Sequence, residues 1–245
     1  MCFHTSHTQK VKKVENRFKV QLVDDALRET YDTPHFHNNG FEHLNSLIIP
    51  QQKATHLIPA TWGIVPSTKK VSEVKEYYKQ QLKYGSGLNA RSEKLFDYWL
   101  YQKSALTKRC IIPISGFFEP HEYNNKKFPI HIKHKDDDLI GLAGIYTVVE
   151  NIVTYTILTK NASPLFSKIH NKKLRQPILL RNDIETDWLN TSLTENEVKD
   201  LLNIPFDDAK IEAYAVNKDL FNSKLNTNSV EILNKYKYED LKICW

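Results

Sequence analysis

The chain has 245 residues, 40% hydrophobic and 26% charged, an ordinary globular composition with room for one large domain or two small ones. No run approaches the ~18 apolar residues of a membrane span, and the start lacks a signal peptide's charged-then-apolar layout. Three scattered cysteines (Cys2, Cys110, Cys244) exclude a disulfide framework or a zinc site, and a net charge of +5 permits an anionic partner without demanding one. Val11, Val14, Phe18 and Leu22 recur at helical spacing and predict an amphipathic helix over 8–26. The polar, His-rich stretch 33–40 reads as a loop. Residues 45–50 and 55–64 read as short strands parted by a turn at 51–53. Val71, Val74, Tyr78 and Leu82 mark a second helix, ended by Gly85 and Gly87. Strands then crowd together at 109–113, 116–123 and 128–134, with a hairpin loop at 124–127. Two more follow at 139–149 and 153–160, with a turn at Glu150-Asn151 between them. A short helix is expected at 164–170 and a strand at 176–180. Thr194 and Glu197 form a capping box for a helix through Leu202, and 211–216 is a late strand. The polar residues after Asn217 give no assignment. With no repeat, low-complexity tract or linker, the expectation is a single domain over 1–245. Its class is α+β: an antiparallel, strand-rich, barrel-like core with peripheral helices.

The second residue is a cysteine. Removal of Met1 would leave Cys2 as a 1,2-aminothiol. Its amine can condense with an aldehyde to an imine, and its thiol can then close a five-membered thiazolidine ring. The α-amine titrates near about pH 7.7–8.0, so a useful fraction is neutral at neutral pH. An odd number of cysteines fits a reducing compartment, where such a thiol survives.

Several blocks are more specified than packing requires. They are Thr61-Trp62-Gly63-Ile64-Val65-Pro66, Asn89-Ala90-Arg91-Ser92-Glu93, and Arg109-Cys110-Ile111-Ile112-Pro113 leading into Gly116-Phe117-Phe118-Glu119. The last is Ile169-His170-Asn171, followed by Arg175-Gln176-Pro177. In this order behind Met-Cys, they resemble the SOS-response-associated peptidase (SRAP) family, abasic-site processing proteins that shield damaged single-stranded DNA. The matching blocks span residues 2–180, with 181–245 read as the C-terminal part of the same domain.

The resemblance implies a chemistry. The Cys2 amine attacks the ring-opened aldehyde of an abasic site, and the thiol, near its thiolate form, completes a covalent thiazolidine crosslink. Met1 must leave first, which the family is thought to do autocatalytically. Glu119 matches the catalytic glutamate that protonates the sugar and shuttles protons. His170 matches the active-site histidine, which also makes a secondary abasic-site lyase activity an expectation. Asn89 matches the asparagine that fixes the N-terminal residue. Arg91 and Arg175 match phosphate-binding arginines, and Trp62 an aromatic beside the DNA path. The bland readings are a strand-end ion pair for Glu119, a helix cap for His170 and a turn residue for Asn89. For Arg91 it is an ion pair with Glu93, and for Trp62 a place in the core. The chain departs from the family pattern at Phe3 and His4, where Gly-Arg is common, and at Pro120, where tryptophan is usual. The spacing from His170 to Arg175 also exceeds the shortest family pattern.

Two other classes compete: a thiol hydrolase built on Cys2, His170 and Glu119, and a non-catalytic single-strand DNA-binding module, whose binding would be equally salt-sensitive on intact DNA. The ten histidines make no convincing metal set, and no His-Glu-x-x-His occurs. The expectation is a cofactor-free, metal-free bacterial monomer in the cytoplasm, joining the nucleoid when bound to damaged DNA.

Overall fold

Cys110-Ile111-Ile112 and Leu142-Ala143 are apolar at consecutive positions, which suits strands buried on both faces. The computed structural model, which describes residues 2–241, uses them in that way; Met1 and Cys244 lie outside the described residues. In chain order, β1 (His4–His7) is followed by α1 (Val11–Phe18), β2 (Gln21–Leu22), α2 (Arg28–Asp32) and β3 (His35–Asn39). Next come β4 (Asn45–Pro50), β5 (His56–Trp62), α3 (Val74–Gln81), β6 (Asn89–Arg91) and α4 (Trp99–Thr107). The strand-rich middle holds β7 (Arg109–Ile114), β8 (Gly116–Tyr123), β9 (Lys126–His134), β10 (Ile140–Val149) and β11 (Ile152–Asn161). Then follow α5 (Pro164–Ile169), β12 (Arg175–Pro177), β13 (Leu179–Leu180), α6 (Glu185–Trp188), α7 (Glu195–Asn203) and β14 (Ile211–Ala215).

β5, β4, β7, β10 and β11 pair in succession, and a parallel contact of β11 with β5 closes them into a barrel. Alternation along each strand divides the apolar residues in two. Ile48, Trp62, Ile112, Leu142 and Tyr155 fill one core, which also takes Phe117, Ile130 and Ile132 of a second sheet. Ile49, Leu57, Ile111, Ala143 and Leu158 face the other way, under Val14 of α1, Leu100 of α4 and Val198 of α7. Gly144 lies where neighbouring strands crowd it: a Cβ there would collide with Ile112 and the Thr156 carbonyl. The second sheet runs β14-β9-β8-β1-β3, and the chain enters it from the barrel across Ser115, between β7 and β8. β1 is thereby held between β8 and β3, which fixes the residues just before His4 at the junction of sheet and barrel. The fold is α+β, with an antiparallel strand-rich barrel core and peripheral helices.

Four expectations need correction. The helix expected over 8–26 ends at Phe18, because Lys19 turns left-handed (φ 57°) and the Val20 amide closes back on the Glu15 carbonyl. Leu22 is still buried, but from a strand. The expected loop at 33–40 contains β3, an edge strand whose polar composition reflects its place at the sheet margin. Helix α4 was not foreseen: it buries Leu100 and Ala105, yet Trp99 and Leu106 are exposed, which blurs the helical stripe. The hairpin at 124–127 tightens to a two-residue turn, with Asn124 and Asn125 both at positive φ. The capping box of Thr194 and Glu197 forms as expected.

Candidate active site

Four elements converge on the start of the chain. β1 carries Cys2 to the barrel mouth, where it is fully buried in the core of Trp62, Leu88 and Phe117. Asn89 is placed by β6, which runs parallel to β11 with Asn89 opposite Ile157. Its Nδ2 donates to the Cys2 carbonyl at 2.8 Å, while its Oδ1 is buried with no hydrogen-bond partner among the described residues. The Cys2 thiol donates to the His4 carbonyl at 3.7 Å.

Glu119 lies in β8, on the strand that pairs with β1. It has no exposure, and burial holds its carboxyl up at about pH 7. His170 closes α5. Ser163 caps that helix and Pro164 opens it, while Phe166 stacks on Phe117 of β8 at 6.0 Å. This packing sets His170 Nδ1 3.3 Å from Glu119 Oε2. The same nitrogen donates to the Arg175 carbonyl at 3.0 Å, which fixes the tautomer and leaves Nε2 as the basic nitrogen. Burial lowers His170 to about 4, so the ring is neutral at neutral pH.

Two residues that serve this geometry were not singled out from the sequence. Asn171 clamps the β8 backbone, accepting from the Glu122 amide at 3.0 Å and donating to the Glu122 carbonyl at 2.8 Å. His121 lies 3.0 and 3.1 Å from the Lys168 and Ile169 carbonyls at the end of α5. The only signal for Asn171 was its place directly after His170.

Other expectations change. The Cys2 thiol is not near its thiolate form: burial, then the Glu119 carboxylate, push it well up. Trp62 has no exposed face for a base. It is a core residue whose Nε1 donates to the Leu88 carbonyl at 2.9 Å, with its ring stacked on Tyr155. Arg175 is not a surface phosphate contact. It is buried and forked to Glu93 (2.5 and 3.0 Å), the Thr159 carbonyl (2.8 Å) and Asn161 (2.9 Å). Glu93 is thereby committed to Arg175 rather than to Arg91. Arg91 is exposed two residues along β6 from Asn89, so it shares Asn89's side of the strand. His4, which stands where the family commonly has arginine, is neutral: burial, then His37, lower it to about 3. Among the described residues, no cluster of three or more His, Cys, Asp or Glu side chains could hold a metal ion, and no helix is long and apolar enough to cross a membrane.

The site can therefore present a buried thiol, a proton-sharing carboxyl and a neutral imidazole to one small electrophile. Comparison with known proteins narrows the reading. The family model described as SOS response associated peptidase (SRAP) matches residues 1–223. The abasic site processing protein YoaM of Bacillus subtilis (strain 168) is 29% identical over 233 residues, covering 89% of this chain and 96% of that protein. YoqW from the same organism, also an abasic site processing protein, is 30% identical over 235 residues, covering 90% and 99%. A crystal structure of a Bacteroides thetaiotaomicron protein superimposes with a TM-score of 0.83 at 29% identity, covering 96% of this chain and 100% of that one. With a family model that spans most of its length, the chain belongs to the SOS response associated peptidase (SRAP) family.

Proposed function

We propose that this protein processes abasic sites in single-stranded DNA by forming a covalent thiazolidine through Cys2 once Met1 is removed. One observation carries the reading. The second residue is a cysteine, fully buried and gripped by Asn89, with Glu119 close enough to disfavour its thiolate and His170 against Glu119. Relatives bearing the name abasic site processing protein support the choice of substrate.

The chemistry follows from the groups present. The free Cys2 amine adds to the sugar aldehyde carbon, and the resulting hydroxyl leaves as water to give an imine. The thiol sulfur then bonds to the imine carbon, and its proton ends on nitrogen. Aldehyde and aminothiol are thus converted to thiazolidine and water. Water loss needs an acid and thiol addition needs a base. A carboxyl held at about 7 can serve as each in turn. The raised thiol makes that base necessary, since the sulfur enters protonated. The unpartnered Asn89 Oδ1 is suited to accept an N–H of the freed amine, fixing it without protonating it. Arg91 supplies a phosphate contact that carries no sequence information. His170, neutral and basic at Nε2, can assist proton removal from the sugar carbon beside the imine, so a slower strand-cleaving lyase reaction accompanies the crosslink. Hydrolysis of the Met1–Cys2 bond by the same groups is the peptidase step.

Purified protein with a mass-confirmed Cys2 N-terminus is incubated with single-stranded DNA carrying one abasic site, then run on a denaturing gel. A shifted band is expected, absent with intact DNA and lost in Cys2→Ala. Cys2→Ser gives a labile imine at most. No band from the wild-type protein would refute the proposal. Turnover of peptides with an internal cysteine would favour a thiol hydrolase.

A further inference from the structure

Beyond β14 the chain crosses the second sheet as two 3-10 turns, Lys218–Phe221 and Val230–Leu233. Leu220 and Ile232 are buried with Phe118 and Val216, which anchors both turns. The loop between them brings Thr227 and Asn228 to the edge strand β3. Edge-strand amides need partners, and Asn228 supplies one: its Oδ1 accepts from the Phe36 amide at 2.8 Å and the His37 amide at 3.4 Å. Beside it, Thr227 Oγ1 lies 2.6 Å from His37 Nδ1, and His37 Nε2 lies 2.8 Å from His4 Nδ1. The His4 carbonyl in turn accepts the Cys2 thiol. A continuous run of contacts thus joins the loop tip to the thiol, and its far end lies beyond residue 223, where the family match stops.

The two rings are coupled. Only one proton fits between His4 Nδ1 and His37 Nε2, so the tautomer of one sets that of the other, and Thr227 selects between them by donating or accepting. Burial keeps both rings neutral, His4 at about 3 and His37 at about 4. A neutral, tautomer-locked pair orients its groups; it does not supply charge.

We infer that residues 217–233 are a latch on the Cys2 strand, with Thr227 and His37 as positioning residues that hold β1 and keep the Cys2 thiol buried. The latch itself concerns the setting of Cys2; only its effect on DNA rests on the function proposed above. Iodoacetamide alkylation followed by mass spectrometry tests it, with Cys110 as an internal reference, since Cys110 is equally buried inside the barrel. In Thr227→Val, Cys2 alkylation should rise about fivefold, the shift carried by one neutral hydrogen bond, while Cys110 is unchanged. Crosslinking to abasic DNA should fall over the same range. Thr227→Ser, which keeps the hydroxyl, should restore both. His37→Phe should reproduce Thr227→Val. If Cys2 alkylation stays at the wild-type rate in both Thr227→Val and His37→Phe, the latch is wrong. A parallel rise at Cys110 also overturns it, because that reports global loosening. If the alkylation pattern holds but wild-type protein never crosslinks, the proposed function fails and the latch stands.

Discussion

A carboxyl shut away from water resists ionisation, and Glu119 carries the cost of that in this fold. Its raised value of about 7, against an ordinary 4.5, corresponds to about 3 kcal/mol. The sign is unfavourable to stability. Below about pH 4.5 both folded and unfolded chains hold the proton and nothing is lost. As pH rises towards 7 the unfolded chain releases it first, so stability falls, and above 7 the full penalty applies. Glu119→Gln should therefore melt higher than wild type at pH 8 by several degrees and equally at pH 4, while crosslinking slows. Equal melting of the two proteins at both pH values would show that burial does not raise Glu119 in the folded chain. The arginines separate in the same way. Arg175→Ala removes charged hydrogen bonds from a buried fork and should cost about 2 kcal/mol or more in denaturant unfolding. Arg91→Ala should leave stability within about 0.5 kcal/mol and weaken binding to single strands of any sequence. Position at the start of the chain singled out Cys2, whereas Asn89, Glu119 and His170 were legible only through the sequence blocks around them, whose order resembles the SRAP family. Nothing in them separates a phosphate-binding arginine from Arg175, whose role is set by Glu93, far away in the chain. Nor do they separate a stacking tryptophan from Trp62, since aromatics suit both settings.

At the scale of elements, periodicity located most strands and missed ends that rest on tertiary contacts. The apolar repeat from Val11 to Leu22 looks continuous, but Glu15, buried within α1, ties down the end of the helix. Its carboxylate accepts the Leu22 amide at 3.0 Å and pairs with Arg28 at 3.0 Å, pulling the chain back on itself after Phe18. The turn that results places Lys19 at φ 57°, where a Cβ is strained and glycine is not. No glycine marks the stop, so the sequence signal was absent. Lys19→Gly should stabilise the protein by up to about 1 kcal/mol, measured by the denaturant midpoint at constant slope. A loss of stability would mean that the Lys19 side chain holds the turn in a way its backbone does not require. β3 hid for another reason. An edge strand whose outward amides meet Asn228 need not be apolar, so alternation carried no signal there.

The barrel as a whole was legible as a class and not as a closure. Strands crowded together between residues 109 and 160 announced a strand-rich core, but the parallel contact of β5 with β11 joins segments that no local pattern connects. The same holds for charge. The excess of +5 is spread along the chain, with no basic tail to concentrate it. In the proposed reaction, the encounter with a strand of any sequence depends on a few dispersed phosphate contacts, whereas the product depends on a covalent bond. Salt should act on these two stages unequally. With about three phosphates engaged, raising salt from about 50 to about 200 mM should slow crosslink formation by about tenfold or more at subsaturating protein. The final yield after long incubation should change little, because counterions do not compete with a carbon–sulfur bond. A yield that fell in step with the rate would mean that the complex is held by charge alone, and that the thiazolidine does not form.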